Sequence, residues 1–207
     1  MKKQKYIQKQ HTQTGAHKVR LRKALLPLIG DGAAYVPFIG DGDIAVECYS
    51  DRLIYGVDID PDRVVTASER LPNASVIVGD CEEGWPLGSL ADGRLFAVCD
   101  SDAYSYPYGA IRAFLSNAKL ANRLAIFATD GRLVRIGKRA TYGGFYNEIV
   151  ARPPGEKRFS IRKYHLRNTV PAMEELAKEH GYRIVATRKT MKGFMFYIGQ
   201  VWERMSG

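Results

Sequence analysis

The sequence has too few cysteines for a disulfide framework or a typical zinc site. Its 207 residues include three cysteines, Cys48, Cys81 and Cys99, and no two of them form a Cys-x-x-Cys pair. An odd number of widely spaced thiols argues against paired disulfides, and structural zinc sites normally use closely spaced cysteines. We therefore predict reduced thiols and no bound metal.

Long apolar runs are also missing from the sequence. No stretch approaches the roughly 20 consecutive apolar residues that a membrane-spanning helix needs. The N-terminus, MKKQKYIQKQHTQTG, has the positive charge of a signal peptide without its apolar core. These absences predict a cytoplasmic protein with no membrane contact. The chain is 45% hydrophobic, which excludes a disordered protein, and its length fits one domain.

Acidic residues are absent from the first 30 positions, which contain eight lysines and arginines. A second basic segment, residues 132–168, contains ten lysines and arginines against two glutamates. Each segment carries a charge of +8, so a chain of net charge +9 has −7 on its remaining residues. Clustered basic residues release counterions on contact with phosphates, so this asymmetry favours a polyanionic partner. A merely solvated tail over residues 1–15 is the alternative.

Short apolar strands alternate with helical patterns along the rest of the chain. We predict strands at 33–39, 52–58, 74–80, 94–100, 123–130, 182–190 and 194–203, and helices at 17–29, 43–50, 61–71, 111–121 and 170–180. This alternation predicts an α/β fold of the Rossmann-like, doubly wound type, with a mostly parallel sheet. The last two strands are joined by Met191-Lys192-Gly193 and predict an antiparallel hairpin at the C-terminal edge.

The predicted organisation is a flexible basic tail, residues 1–15, followed by a single domain, residues 16–207. Residues 132–168 lose the periodicity and contain clustered glycines, which predicts a basic insertion in that domain. Its aromatic and basic residues are interleaved, as a surface that stacks bases and neutralises phosphates requires. A solvated loop packed by its own aromatics is the alternative. The basic residues proposed to contact substrate are Arg139, Arg158, Arg162 and Lys163.

The stretch YVPFIGDGDIAVE, residues 35–47, is an apolar strand that stops abruptly at two glycines. Gly40 and Gly42 would let the backbone approach a ligand where a side chain would collide. In an open α/β sheet the ligand crevice lies beyond the carboxyl ends of the strands, so acidic residues there should surround one site. We assign Asp60, before Pro61, to helix capping instead. The carboxylates at predicted strand ends are Asp58, Asp80, Asp100 and Asp130.

Two nucleotide-type cofactors could occupy such a glycine turn. Residues 40–45 formally match Gly-x-Gly-x-x-Ala, and Asp58 follows Gly40 by 18 residues, as a dinucleotide site requires. A dinucleotide site gives no role to Asp80, and it would place the negative charge of Asp43 near the negatively charged pyrophosphate. S-adenosylmethionine has no phosphate and carries a sulfonium and an ammonium, so acidic surroundings suit it better.

From Tyr35 to about Asp130 the chain resembles class I S-adenosylmethionine-dependent methyltransferases in motif order and spacing. Ile44 stands where that family usually has a third glycine. The resemblance implies that the glycine loop lies beside the methionine part of the cofactor, and that its cofactor-binding residues include Phe38, Gly40 and Gly42.

The same resemblance assigns roles to the strand ends. Asp58 would bind the ribose hydroxyls and Ile59 would pack on the adenine ring. Asp80 would accept from the adenine amino group, and the backbone of Cys81 would reach the ring. Asp100 would begin the segment where substrate meets cofactor.

We expect the substrate at the segment SDAYSYPYG, which follows the fourth strand. A carboxylate that accepts an N–H from an exocyclic amine helps to localise its lone pair, and Asp100 or Asp102 could do this. An extruded base could stack on the ring faces of Tyr104, Tyr106 and Tyr108. We expect at least one of these tyrosines to pack in the core or the loop instead. We also place Tyr104 among the catalytic residues. Methylation of a pyrimidine C5 needs a cysteine nucleophile, and Cys99 lies inside an apolar strand where thiols are inert.

The segments DSDAYSYPYGAIRAFL and LAIFATDG resemble the tRNA N2,N2-dimethylguanosine methyltransferases, which have Asp-x-Asp-Pro-aromatic-Gly and then Thr-Asp. Ala103 stands where that family has proline. DNA amino-methylating enzymes usually have Pro-Pro-Tyr, which is missing here. Our hypothesis is an S-adenosylmethionine-dependent methyltransferase acting on an exocyclic or ring nitrogen of an RNA base, with tRNA favoured. The alternatives are an N6-adenine DNA methyltransferase and a catalytically inactive nucleic-acid-binding protein with the same fold.

Overall fold

The structure is a computed structural model that describes residues 15–81, 85–103, 106–131, 161–193 and 195–206. The sequence predictions for residues 1–14 and 132–160 therefore lie outside the described residues. Within the described part, helices and strands alternate as predicted. In chain order they are α1 (15–23), a 3₁₀ turn (Leu26–Leu28), β1 (Ala33–Pro37), α2 (Asp43–Tyr49), β2 (Ile54–Asp58), α3 (Pro61–Arg70), β3 (Ala74–Val78), a 3₁₀ turn (Gly88–Ala91), β4 (Leu95–Ser101), α4 (Tyr108–Asn117), β5 (Lys119–Asp130), α5 (Ile161–Tyr164), a π-helical turn (His165–Thr169), α6 (Val170–Glu179), β6 (Tyr182–Lys192) and β7 (Met195–Arg204).

The strands form one seven-stranded sheet in the order β3-β2-β1-β4-β5-β7-β6. Strands β1 to β5 pair in parallel, whereas β7 lies between β5 and β6 and is antiparallel to both. The predicted Rossmann-like fold and its C-terminal antiparallel hairpin are confirmed. Because β1, β2, β4 and β5 run in the same direction, their carboxyl ends meet at one edge of the sheet, which we call the ligand edge.

The central strands β1, β2 and β4 are covered on both faces, which explains why they consist largely of apolar residues. All five residues of β1 and of β2 are buried. One apolar cluster includes Phe96, Phe114 and Trp202, and the other includes Leu21, Leu25 and Phe127. Burial of such side chains is worth about 1.5–3 kcal/mol each. Helix α1 therefore packs on the sheet as part of the second cluster.

Helix boundaries follow local chemistry. Asp60 caps α3, because its Oδ1 accepts from the backbone N of Asp62 at 3.0 Å and Pro61 occupies the first turn. The predicted helix 111–121 differs from α4, which spans Tyr108–Asn117. Its predicted end is strand instead, since Lys119 and Leu120 pair with the start of β4.

Candidate active site

The glycine turn after β1 has a backbone that ordinary residues rarely adopt. Gly40 has φ 57° and Gly42 has φ 80°, and even Phe38 lies in the left-handed region with φ 61°. A Cβ at Gly42 would come within 3.2 Å of a Leu71 methyl group. The left-handed conformation of the turn therefore favours glycine at both positions. Because glycine has no side chain, the backbone of Gly40 and Gly42 is uncovered at the ligand edge.

Asp58 holds the glycine turn from the end of β2. Its Oδ2 accepts from the backbone N of Gly40 at 2.8 Å, and its Oδ1 accepts from the backbone N of Asp60 at 3.0 Å. Each carboxylate oxygen can still accept a second hydrogen bond. The next residue, Ile59, leaves 68% of its surface exposed, although it is apolar. The turn thus has a fixed carboxylate and an uncovered apolar side chain next to each other.

The end of β3 contributes a second acidic position. Asp80 lies two residues beyond the strand and is half-buried. The Cys81 side chain is buried, and burial raises its thiol pKa to about 11. Only the backbone of Cys81 is thus a reasonable ligand contact.

Asp100 does not take the position expected of a cofactor or substrate ligand. Its side chain is completely buried, and it forms two hydrogen bonds with Arg22, from Nε at 2.6 Å and from Nη2 at 2.5 Å. The Tyr49 hydroxyl also donates to it at 2.6 Å. A carboxylate so enclosed cannot contact a ligand in this arrangement, so the geometry corrects the prediction and gives Asp100 a supporting role.

Asp102 is closer to the surface than Asp100, with 14% of its side chain exposed. Its Oδ2 accepts from Lys18 Nζ at 2.7 Å, whereas its Oδ1 is buried. The Thr129 hydroxyl lies close enough to this carboxylate to lower its pKa, but neither Oδ1 nor the Thr129 hydroxyl forms a hydrogen bond of good geometry with the described residues. Burial by itself would raise the carboxyl pKa, but Lys18 and Arg22 outweigh it and lower the pKa of Asp102. Asp102 is therefore an ionised carboxylate with one oxygen held by Lys18 and the other buried without a hydrogen bond of its own.

The partners of these carboxylates were missed by the sequence interpretation. Lys18 and Arg22 belong to the first 30 residues, whose basic side chains were assigned to a polyanion. Both instead form internal ion pairs. The signal that could have identified them is their four-residue spacing on the side of α1 that also carries the buried Leu21.

The three tyrosines differ in their surroundings. Tyr104 lies outside the described residues. Tyr106 is half-buried, and its hydroxyl accepts from Arg112 Nη1 at 3.0 Å. Tyr108 has no exposed surface and packs edge-on against Tyr106. Since stacking on a base needs an accessible ring face, the predicted substrate role of Tyr108 is not supported, and Tyr108 is a core residue.

The basic insertion is described only at its end. Arg139 and Arg158 lie outside the described residues, whereas Arg162 and Lys163 are exposed on α5. His165 follows directly and stacks on Phe196 with ring centroids 4.2 Å apart. Phe196 pairs with Asp130, the last residue of β5. The short helix α5 is thus anchored beside the ligand edge.

Two further observations bear on ligand choice. Arg70 Nη1 lies 2.6 Å from Asp43 Oδ1 in an exposed ion pair, so the negative charge that we expected near a pyrophosphate has a positive partner, and this argument against a dinucleotide is weaker than the sequence indicated. Burial raises the pKa of the Cys99 thiol well above its usual value, which fits the prediction that it is inert.

In the described part of the chain, no group of three or more histidine, cysteine or acidic side chains is placed to hold a metal ion. Of the helices described, none is long and apolar enough to cross a membrane.

No protein-family model matches the sequence, and no curated protein matches it either. Several solved structures share its fold. Magnesium protoporphyrin IX methyltransferase from Synechocystis PCC 6803 with bound S-adenosylhomocysteine is 14% identical, with a TM-score of 0.52 over 94% of this chain and 84% of that one. A TehB-like S-adenosylmethionine-dependent methyltransferase from Corynebacterium glutamicum is 16% identical, with a TM-score of 0.50 over 98% and 97%. The fibrillarin/Nop5p complex contains a chain that is 11% identical, with a TM-score of 0.54 over 84% and 73%. This chain therefore has the Rossmann-like fold found in S-adenosylmethionine-dependent methyltransferases.

Proposed function

We propose that the protein is an S-adenosylmethionine-dependent methyltransferase that modifies a nitrogen of a nucleic-acid base, with RNA, and tRNA in particular, favoured over DNA. The observation that carries the proposal is the arrangement at the ligand edge. There, Asp58 accepts a hydrogen bond from the glycine turn, and the carboxylate of Asp102 has one oxygen bound by Lys18. In this proposal residues 16–207 form the catalytic domain, and the tail and the basic insertion serve the substrate.

The cofactor assignment is supported by the hydrogen-bond acceptors and the apolar surface beside the glycine turn. Asp58 is fixed by two backbone hydrogen bonds and retains acceptor capacity for ribose hydroxyls. Ile59 is an exposed apolar surface of the kind that packs on an adenine ring. Asp80 and the backbone of Cys81 come next along the edge, for the adenine amino group and ring. S-adenosylmethionine supplies a methyl group on a sulfonium centre when bound.

The chemical step assigns one task to Asp102. Its Oδ1 is buried and has no hydrogen bond of good geometry among the described residues. In this proposal it accepts an N–H of the substrate amine when substrate binding uncovers it. A carboxylate there stabilises the positive charge that develops on nitrogen and can take the proton that this nitrogen loses. Stacking on Tyr104 and Tyr106 would hold the base.

The nucleic-acid assignment is supported by charge. Lys18 pairs with Asp102 near the start of α1, so the described chain begins near the ligand edge, directly after the basic residues 1–14 of the sequence. Helix α5, which lies at the end of the basic insertion, carries the exposed Arg162 and Lys163. The resemblance of DSDAYSYPYG to the tRNA N2,N2-dimethylguanosine methyltransferases favours tRNA.

Two other functions remain to be separated by experiment. An N6-adenine DNA methyltransferase would transfer labelled methyl groups to duplex DNA and not to total tRNA. A nucleic-acid-binding protein without activity would bind the cofactor and transfer to neither. Magnesium protoporphyrin IX, the compound that appears in the name of one structural neighbour, makes a panel of small molecules a necessary addition to the assay.

Replacing Asp58 with alanine is expected to weaken S-adenosylmethionine binding by about 1–3 kcal/mol, because charge-assisted hydrogen bonds to the ribose and the anchor of Gly40 are both lost. Calorimetry measures this directly. Asp92→Ala, which removes an exposed carboxylate before β4 at the opposite edge, is the matched control. Tighter binding of a nicotinamide dinucleotide by the wild type would contradict the cofactor assignment.

Deleting residues 2–12 is expected to weaken nucleic-acid binding and to flatten its salt dependence. Each lost phosphate contact should lower the slope of log K against log salt by about 0.7–0.9. Neutralising Arg158, Arg162 and Lys163 together should act in the same direction, and cofactor affinity should not change in either variant. Wild-type salt slopes in both variants would show that these segments are not the binding surface.

A further inference from the structure

Helix α1 faces β4 through two matched pairs of opposite charge. Four residues along a helix advance about 6 Å, and two residues along a strand advance about 6.6 Å. Lys18 and Arg22 lie on one side of α1, so Arg22 reaches Asp100 on β4 and Lys18 reaches Asp102 just beyond the end of β4. The earlier basic residue pairs with the later carboxylate, so α1 runs antiparallel to β4 and begins at the ligand edge.

The buried ion pair between Arg22 and Asp100 attaches helix α1 to strand β4. Arg22 and Asp100 are both essentially inaccessible, and the Arg22 guanidinium lies 5.3 Å from the centroid of the Phe127 ring. Its Nη1 donates to the backbone O of Lys18 at 3.0 Å. The Tyr49 hydroxyl completes the group from α2. The backbone that carries Lys18 is thus attached to the same buried centre that fixes β4.

The Lys18 pair has a different character from the Arg22 pair. Lys18 Nζ holds one oxygen of Asp102 at 2.7 Å, and the other oxygen has no hydrogen bond within the described chain. The charged groups that face Asp102 are Lys18 and Arg22 from α1, while the Thr129 hydroxyl approaches from β5. Asp100, two residues earlier on β4, is neutralised by Arg22.

We propose that Lys18 is a positioning residue for the reaction, which holds Oδ2 of Asp102 so that Oδ1, buried in the structure, is the acceptor for the substrate amine when substrate binding uncovers it. This inference rests on the proposed function. It makes α1 a part of the active site, and it links the basic tail, which precedes α1 directly, to the carboxylate that acts on the substrate.

The test compares Lys18→Met, Lys18→Arg and Lys23→Met. Lys18→Met keeps the length of the side chain but removes its charge, so kcat at saturating nucleic acid should fall by up to about 100-fold while KM for the cofactor stays within about twofold of the wild-type value. Because Lys18 lowers the pKa of Asp102, its loss should also move the acid limb of the pH–rate profile to higher pH. Lys18→Arg restores a charged donor and should recover most of both properties.

Lys23→Met is the matched control on the same helix. Lys23 lies 3.7 Å from Glu47 in an exposed pair at the other end of α1, so kcat and the acid limb should stay unchanged. An unaltered kcat and acid limb in Lys18→Met, or an equal loss in Lys23→Met, would overturn the proposal.

A second measurement keeps this inference separate from the proposed function. The ¹³C signal of the Asp102 carboxyl carbon, identified by its absence in Asp102→Asn, reports titration without any reaction. A higher titration midpoint in Lys18→Met than in wild type is expected. An unchanged midpoint would overturn the inference even if the protein is an active methyltransferase. A raised midpoint in a protein that transfers no methyl group would contradict only the proposed function.

Discussion

Asp102→Asn is expected to lower kcat for methyl transfer by at least about 100-fold, because the variant keeps the shape of the side chain but can no longer accept the substrate proton as a carboxylate. S-adenosylmethionine affinity should change little, since Asp58, Ile59 and Asp80 are untouched. Single-turnover transfer of a labelled methyl group, combined with calorimetry, separates the two quantities. The prediction depends on the buried Oδ1, which has no hydrogen bond among the described residues.

Asp51→Asn is the control for this experiment, because Asp51 is an exposed carboxylate just before β2, at the edge opposite the ligand edge. It should have wild-type kcat and wild-type cofactor affinity. Equal turnover by Asp102→Asn and wild type would remove Asp102 from the site. Tyr104 and Tyr106 would then be the remaining candidates in this segment, because Asp100 is enclosed by Arg22 and Tyr49.

Arg22→Met is expected to lower the free energy of unfolding by about 3–5 kcal/mol, because it leaves the completely buried Asp100 without its counter-charge. For a domain of this size the loss corresponds to a decrease in Tm of about 6–20 °C. Chemical denaturation monitored by tryptophan fluorescence measures it, and Trp202 is fully buried in the core. Arg22→Met should also lower the methyl-transfer activity, because Arg22 donates a hydrogen bond to the backbone of Lys18.

Two variants show whether this loss arises from the buried charge. Lys23→Met breaks an exposed pair on the same helix and should cost no more than about 1 kcal/mol. The triple variant Arg22→Met, Asp100→Leu, Tyr49→Phe removes every member of the buried group and should recover most of the stability. If Arg22→Met were no less stable than Lys23→Met, the Arg22–Asp100 pair would not be a structural centre of the fold.

The alternation of elements could be predicted from sequence because each signal is local. The run LIYGVD followed by Asp60-Pro61 marks a buried strand and a capped helix, and the structure contains both. The hairpin around Gly193 was equally visible, because the apolar strands on both sides are joined by a short turn. The glycine turn could be predicted from Gly40 and Gly42, and both glycines have positive φ angles in the structure.

The pairing of α1 with β4 could not be predicted in the same way, because it joins residues 78 and 84 positions apart. A lysine or arginine near the N-terminus has the same local pattern whether it contacts phosphate or a buried carboxylate. Asp100 and Asp102 likewise look equivalent in the sequence DSDAY. Their difference arises from depth, since Asp100 lies within β4 beneath α1 and Asp102 lies just beyond the end of the strand.

Nucleoside mass spectrometry after incubation with methyl-labelled S-adenosylmethionine tests the central claim most directly. The purified protein is incubated in parallel with total tRNA, duplex DNA and a small-molecule panel, and the nucleic acids are then digested. The proposed function predicts a labelled methylated nucleoside from tRNA, with the label on a base nitrogen, and its loss in Asp102→Asn. Labelled deoxyadenosine from the DNA arm, or a labelled small molecule with unlabelled tRNA, would contradict the account, as would cofactor binding with no transfer in any arm.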